Sequence, residues 1–561
     1  MRERTKQGIK VLEAALLLGV LGDGLLRATP WGLNVLLWTG ATVVALIVLL
    51  RRWRRRVLLD GGHWLLLLVI LSAAAFAWRD SLTLNFLAGM TLLVALSLMA
   101  WRARGGRIWL AGVAEYVLGM LVAGINAIFV GFPSLFFDVR WKEIPAAGWT
   151  RHLRSVLIGL VIAVPLLLVF GMLFMSADAS FERMIERVFA TNYEEAYGHI
   201  LLALSLAWIA GGFLRGLLFG REVKIVNGRA TLAPTNQTEN CVVENGCVSN
   251  TAEPVKPQML SLGIVEIGIT LGLLNLLFFS FVLLQIRYFF GGAALIQGSN
   301  GLTYAEYYRR GFFELVAVAA LVLPLLLAAH WLLRKEKQAH ERIFRVLAGT
   351  QVALLFVIMA SAARRMLLYQ SEYGLTELRL YTTAFMCWLG LVFIWFIATV
   401  LRGRREQFAF GSLIAGLLMI ATLHVINPDA LIVRVNIAHA RAGRSFDVHY
   451  AVSLSDDAVP TLMKSLPSLS DADRHIIAAK VLERLSPPEV TDWRTWNWSR
   501  AEAQRVIQEE FDLLRDITLP PQDIERATES AETIKVRGVE DMNQVKPPVD
   551  RARASPTRSR K

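Results

Sequence analysis

From Val11 to Ile426 the chain alternates between long apolar stretches and short polar turns crowded with arginine. A helix needs about 20 mainly apolar residues to cross the hydrocarbon core of a bilayer, so this pattern predicts membrane-spanning helices joined by short loops. The predicted spans are Val11–Leu26, Pro30–Leu50, Trp64–Trp78, Asn85–Trp101, Leu157–Met175, Ile200–Leu218, Met259–Ile286, Phe312–Leu333, Phe344–Leu368, Leu378–Leu401 and Phe408–Ile426. Pro30 stands at a helix start, where its missing N–H does no harm, and Pro165 kinks its span. Ile108–Phe137 is too long for one simple span and too short for two. Gly124, Gly131 and Pro133 interrupt it, which fits a re-entrant or broken helix, or a tilted span. Phe181, Met184, Ile185, Val188 and Phe189 recur at helical spacing, so Phe181–Tyr197 reads as an amphipathic helix on the outer surface. The total comes to about 11–13 crossings by segment length.

Beyond Asn427 the pattern changes. Ser470 caps a run with apolar Ile476, Ile477, Val481, Leu482 and Leu485, which Pro487-Pro488 ends. Ser499 reads as the cap of a second helix bearing Val506, Ile507, Phe511 and Leu514. Trp493, Trp496 and Trp498 place this part against the membrane interface or the bundle. The predicted fold is therefore all-α: a polytopic transmembrane helical bundle with a small C-terminal helical extramembrane module. It divides into N-terminal hairpins (1–153), a main bundle (154–426) holding a flexible polar loop (220–258), a helical module (427–534) and a disordered tail (535–561).

Composition agrees with that division. The 561 residues are 55% hydrophobic and 19% charged, below the charged fraction of about a quarter usual in soluble domains. The net charge of +13 reflects lysine and arginine gathered in loops such as Arg51–Arg56, a cytoplasmic signature that puts the N-terminus inside. No basic stripe with interleaved aromatics lies outside the membrane segments, which argues against nucleic acid as a partner. Of the three cysteines, Cys387 reads as a small core residue in an apolar run. Cys241 and Cys247 share the polar loop and lack metal-site spacing. Gly22, Asp23 and Gly24 follow the first apolar run where a cleavable signal peptide would carry small residues.

The candidate chemistry sits where charges meet apolar runs. Glu306, Arg310 and Glu314 step by four and share a helix face, with Arg309 beside them. Arg365, Tyr369, Glu372 and Arg379 form a second set, with Arg364 beside it, on one face if the helix continues through Gly374. The two sets are expected to meet at one rim of the bundle. There they form either a structural ion-pair cluster or a site for an anionic or zwitterionic ligand, since guanidinium forks suit carboxylate and phosphate. Glu115 and Glu266 lie within apolar runs. They read as neutral, hydrogen-bonded helix contacts or as a proton or cation relay. His330 and His424 read as packed residues near span ends. No HExxH, GxxxxGK[ST], GxSxG or CxxC signature occurs, so no catalytic residue, metal or cofactor is assigned and enzyme chemistry stays an open alternative.

The stretches FVLLQIRYFFGG, TYAEYYRRGFFELVAVAALVLPLLL, ARRMLLYQSEYGLTELRLY and VINPDALIVRVNIAHA, with SADASF at Ser176 and DWRTWNWSRAEA at Asp492, resemble bacterial integral-membrane proteins. These are grouped as domains of unknown function, the DUF forty-one-fifty-three and forty-one-seventy-three type. The resemblance runs from about Ser155 to Ala503. It implies a multi-pass protein of the bacterial inner membrane and brings no activity with it. Three functions stay open on the residues. The favoured one is a membrane sensor or scaffold whose extracytoplasmic C-terminal module meets a protein partner. The others are a transporter or channel using the intramembrane glutamates and the Arg–Glu cluster, and an envelope enzyme acting on a lipid-linked substrate.

Overall fold

A computed structural model describes residues 3–52, 62–103, 109, 113–125, 127–128, 193–219, 223–226, 229–232, 263–290, 312–333, 338–485 and 492–518. The protein is an all-α polytopic bundle. Its bundle helices are α1 (Glu3–Leu26), α2 (Leu33–Arg52), α3 (His63–Trp78), α4 (Leu82–Ala103), α5 (Val113–Ile125), α6 (Tyr193–Phe219), α7 (Ile264–Phe290), α8 (Phe312–Leu332), α9 (Gln338–Tyr373), α10 (Glu377–Thr399) and α11 (Phe408–Ile426). Among the described residues, 8 helices are long and apolar enough to cross a membrane, and the 16-residue α3 is a shorter apolar helix. Leu17, Val20, Val44, Leu82, Leu273, Leu276 and Leu321 all face outward. So continuous an apolar exterior needs lipid, not water, as its solvent.

Two cores hold these helices. One joins α1 through α6 with the start of α11, around Leu46, Leu65, Leu98 and Leu214. The second joins α7 through α10, around Phe344, Phe393 and Phe396. Residues 408 and 409, at the start of α11, contribute one to each. The α1–α6 pair packs closely because Gly19 has no side chain: a Cβ there would collide with the Ala203 carbonyl and the Ala207 methyl.

Several local expectations are corrected. The first helix starts at Glu3, ahead of the predicted Val11. Pro30 is not a helix start; α2 begins three residues later, at Leu33. The turn is organised instead by buried Asn34, whose amide donates to the Leu25 and Ala28 carbonyls while its oxygen accepts from Gly32 and Val35 N–H. Tyr193–Tyr197 belongs to the spanning α6 and not to a separate surface helix, while 181–192 lies outside the described residues. Within the polar loop 220–258, β1 (Val223–Val226) and β2 (Arg229–Leu232) pair antiparallel, Val223 opposite Leu232. The span predicted at Phe344–Leu368 is part of a longer helix, the 36-residue Gln338–Tyr373. Cys387 faces outward and is not a core residue, because a membrane helix turns small apolar groups to lipid as readily as inward. Leu157–Met175, Cys241, Cys247 and the tail lie outside the described residues, as does most of Ile108–Phe137 beyond α5.

After α11 come six shorter helices: α12 (Pro428–Arg441), α13 (Val448–Ser453), α14 (Val459–Ser465), α15 (Asp471–Leu482), α16 (Trp498–Glu509) and α17 (Phe511–Thr518). They share a core of their own, with Ile432, Val433, Val459, Leu462, Ile477, Ala503, Ile507 and Leu514 at its centre. Ser470 caps α15 by accepting from Asp473 N–H. Ser499, by contrast, is not the cap of α16; Asn497 is, accepting from Arg500 N–H.

Helix α9 stops at Gly374, whose φ of 72° is left-handed, a conformation that costs other residues about 1–2 kcal/mol. A Cβ on Gly374 would also stand 2.6 Å from Asn436 Oδ1. Asn436 holds both backbone groups of Leu375, accepting from its N–H at 2.7 Å and donating to its carbonyl at 2.9 Å. Gly374→Ala is therefore expected to lower the melting temperature by several degrees and to loosen α12 from the α9–α10 turn, a shift that differential scanning fluorimetry in detergent would record.

Candidate functional site

The charged sets read from the sequence come together only in part. Because α9 breaks at Gly374, Arg379 does not continue the face of Arg365. It folds back, donating to the Tyr373 and Gly374 carbonyls at 3.1 and 2.6 Å, with its guanidinium 4.0 Å over the Tyr369 ring. Capping of helix-terminal carbonyls by a cation is the physical reason. Glu372 pairs with Arg444 of the C-terminal helices at 3.0 Å. Glu314, exposed in the first turn of α8, sits at the end of that helix which packs beside the Ala362–Met366 stretch of α9. That stretch carries Arg364, exposed, and Arg365, half-buried. Glu306, Arg309 and Arg310 lie outside the described residues.

Both glutamates read from the apolar runs fall within described helices. Glu266 is exposed in the first turn of α7, its carboxylate beside Gly263. An acid there answers the positive end of the helix and its open N–H groups, so Glu266 marks a helix start and not the interior of a span. Glu115 falls within α5. Deeper in α7, buried Asn275 donates to the Leu347 carbonyl of α9 at 3.0 Å and ties the two helices. His330 packs on Phe344, and His424 on Trp78.

The most connected polar site lies elsewhere, where the six short helices meet the bundle. Helix α3 ends at Trp78, and Arg79-Asp80-Ser81 turns the chain into α4. Asp457, in the short turn Asp456–Ala458 before α14, points into that loop and is buried. One oxygen accepts from Asp80 N–H at 2.8 Å and Ser81 N–H at 2.9 Å; the other meets the Arg79 guanidinium at 3.2 Å and the Ser499 hydroxyl. Arg79 also donates to the His424 carbonyl at 2.9 Å and stacks on Trp78. Buried Asn497 donates to the Phe76 and Arg79 carbonyls at 2.7 and 2.9 Å, closing the open end of α3. Asn427, left-handed at φ 57°, turns α11 into α12 and donates to the Asp457 carbonyl. Around this centre Arg500 pairs with Asp80 at 3.3 Å, Arg484 pairs with Asp456 at 3.0 Å, and Leu33 N–H donates to the Trp496 carbonyl.

Asp429, in the first turn of α12, is also deeply set, 1% exposed. One oxygen accepts from the Ser455 hydroxyl at 2.5 Å and its N–H at 3.2 Å; the other has no hydrogen-bond partner. Burial, opposed by Ser455 and reinforced by the nearby negative charge of Glu377 and Asp457, pushes its pKa up to about 6. Burial also raises Asp80 and Asp456, against the pull of Arg500 and Arg484 respectively. The arrangement can hold a proton, and it can lock two bodies of the chain through charge-assisted hydrogen bonds.

The family model for DUF4153, described as a domain of unknown function, matches residues 66–465. The chain belongs to the DUF4153 family. The matched DUF4153 region takes in Arg79, Asp80, Ser81, Asn427, Asp429, Asp456 and Asp457, while Asn497, Ser499 and Arg500 come after it. No curated protein and no solved structure matches this DUF4153 chain. Sequence reasoning missed the node because it reads charges along one helix at a time. The signal was present in the polar triplets Arg79-Asp80-Ser81, Asn427-Pro428-Asp429 and Ser455-Asp456-Asp457, each directly at the end of an apolar run or a short helix.

Proposed function

We propose that this multi-pass membrane protein is a sensor or scaffold of the inner membrane, whose C-terminal helices form a module held on the outer face of the bundle. The single observation behind this reading is the buried Asp457 node, which fastens those helices to the α3–α4 turn, to α11 and, through Trp496, to the start of α2. The start of α1 lies at the opposite end from this node, since its other end meets Arg494 and Asn34 through the Gly24 and Leu25 carbonyls. Basic residues also gather at that far end: Lys10, Arg51, Arg52, Arg102, Arg402, Arg404 and Arg405. By the positive-inside rule this distribution supports an N-terminus in the cytoplasm and a module outside. Trp31, Trp78, Trp493, Trp496 and Trp498 are all exposed around the junction, where amphipathic rings suit the lipid–water boundary. On this reading Glu314 of α8 and Arg364 and Arg365 of α9 brace the same outer face.

The module's exposed surface is the place for a protein partner. A photo-crosslinking amino acid at Arg441, Ser468 or Glu509 of the full chain in living cells tests this. A discrete cross-linked protein, lost when Asp457 becomes Ala while membrane insertion persists, supports the scaffold. No cross-link at any of the three, together with solute flux through proteoliposomes of the purified protein, would overturn it in favour of transport.

A further inference from the structure

An apolar groove of about 380 Å³ runs along the outside of the bundle between α1 and α2. Leu17 and Leu21 of α1 and Val44 and Val48 of α2 form its walls, and its polar lining groups, Lys10, Glu13 and Arg52, all stand at the end nearest the N-terminus. From Lys10 to Leu21 the helix rises about 17 Å at 1.5 Å per residue. One leaflet of the hydrocarbon core is about 15 Å deep. The groove therefore has the length of a single acyl chain, with its charged mouth at headgroup level.

The charges at the mouth distinguish which lipid. Lys10 Nζ lies 2.6 Å from Glu13 Oε2, so those two balance. Arg52 is exposed, with Arg51, also exposed, beside it. The mouth is net positive, and a guanidinium fork fits a phosphate through two parallel hydrogen bonds. We infer that the α1–α2 groove binds one anionic phospholipid from the leaflet on the N-terminal side, an acyl chain between Leu17 and Val48 and its phosphate on Arg52. Clusters of basic residues next to a membrane helix draw anionic lipid for the same electrostatic reason.

Native mass spectrometry of the full-length protein, released from micelles containing equal phosphatidylglycerol and phosphatidylcholine of the same chains, tests this. The wild type is expected to retain phosphatidylglycerol at least about fivefold over phosphatidylcholine. Arg52→Ala should bring that ratio close to one, and Val48→Trp, at an outward-facing groove wall, should cut retention of both lipids. Equal retention of the two lipids by the wild type, loss of neither lipid in Val48→Trp, an unchanged ratio in Arg52→Ala, or a partner polypeptide in place of lipid would each overturn the assignment. None of these outcomes bears on the C-terminal module.

Discussion

Replacing Asp457 with alanine is expected to unfasten the C-terminal helices from the bundle. The substitution removes the acceptor shared by four donors: it strands the N–H groups of Asp80 and Ser81, and leaves the Arg79 guanidinium and the Ser499 hydroxyl only the His424 and Trp78 carbonyls. Arg79 is mostly buried, its side chain 12% exposed. Removing one partner of a buried ion pair costs about 3–5 kcal/mol, because the other charge is left uncompensated. The loss should be local. Hydrogen exchange of the Asp80 and Ser81 amides should accelerate strongly while the centres of α7 and α9 keep their protection. Limited proteolysis should cut between α11 and α12 in the variant and not in the wild type. Asp471→Ala supplies the control, since its carboxylate, paired with Arg474, is 96% exposed, and solvent-exposed pairs contribute little. Identical exchange at Asp80 and Ser81 in wild type and Asp457→Ala would mean that packing alone holds the junction.

The second large effect is a pH dependence carried by Asp429. Its folded pKa is about 6 against an ordinary 3.8. Between those values the folded state binds more protons than the unfolded state, so stability falls as pH rises through that window. The gap corresponds to at most about 3 kcal/mol, present below pH 4 and lost above pH 6. The groups facing the carboxyl explain the sign: Ser455 donates to it, but Glu377, Asp457 and the buried setting all disfavour its charge. Asp80 and Asp456 add to the slope in the same direction. Melting curves at half-unit steps from pH 4 to 7 should show the wild type losing stability, and Asp429→Asn should flatten most of that loss. A wild-type curve that rises with pH across the window would refute the assignment.

The elements of the bundle were legible because a bilayer leaves few choices. A long apolar run whose backbone polar groups have no water to bond must close them within itself, so α8, α10 and α11 follow from Phe312–Leu333, Leu378–Leu401 and Phe408–Ile426 with little error. The cap at Ser470 was legible for a similarly local reason, a side-chain oxygen three residues from the N–H it accepts.

What the chain could not disclose is every relation between distant segments. The continuation of α9 through Gly374 is a fair inference from spacing, yet Asn436, 61 residues away, holds Leu375 and ends it. Ser499 looks like a cap in sequence; only the arrival of Trp78 and Asp457 makes it a bridge and hands the cap to Asn497. Local composition was enough to show that this protein lies in a membrane and roughly where its spans run, since those depend on transfer of side chains one helix at a time. Tertiary structure alone decided that Asp457 would meet a loop 376 residues earlier, because a buried carboxylate is stable only where donors converge on it, and convergence is a property of the folded chain.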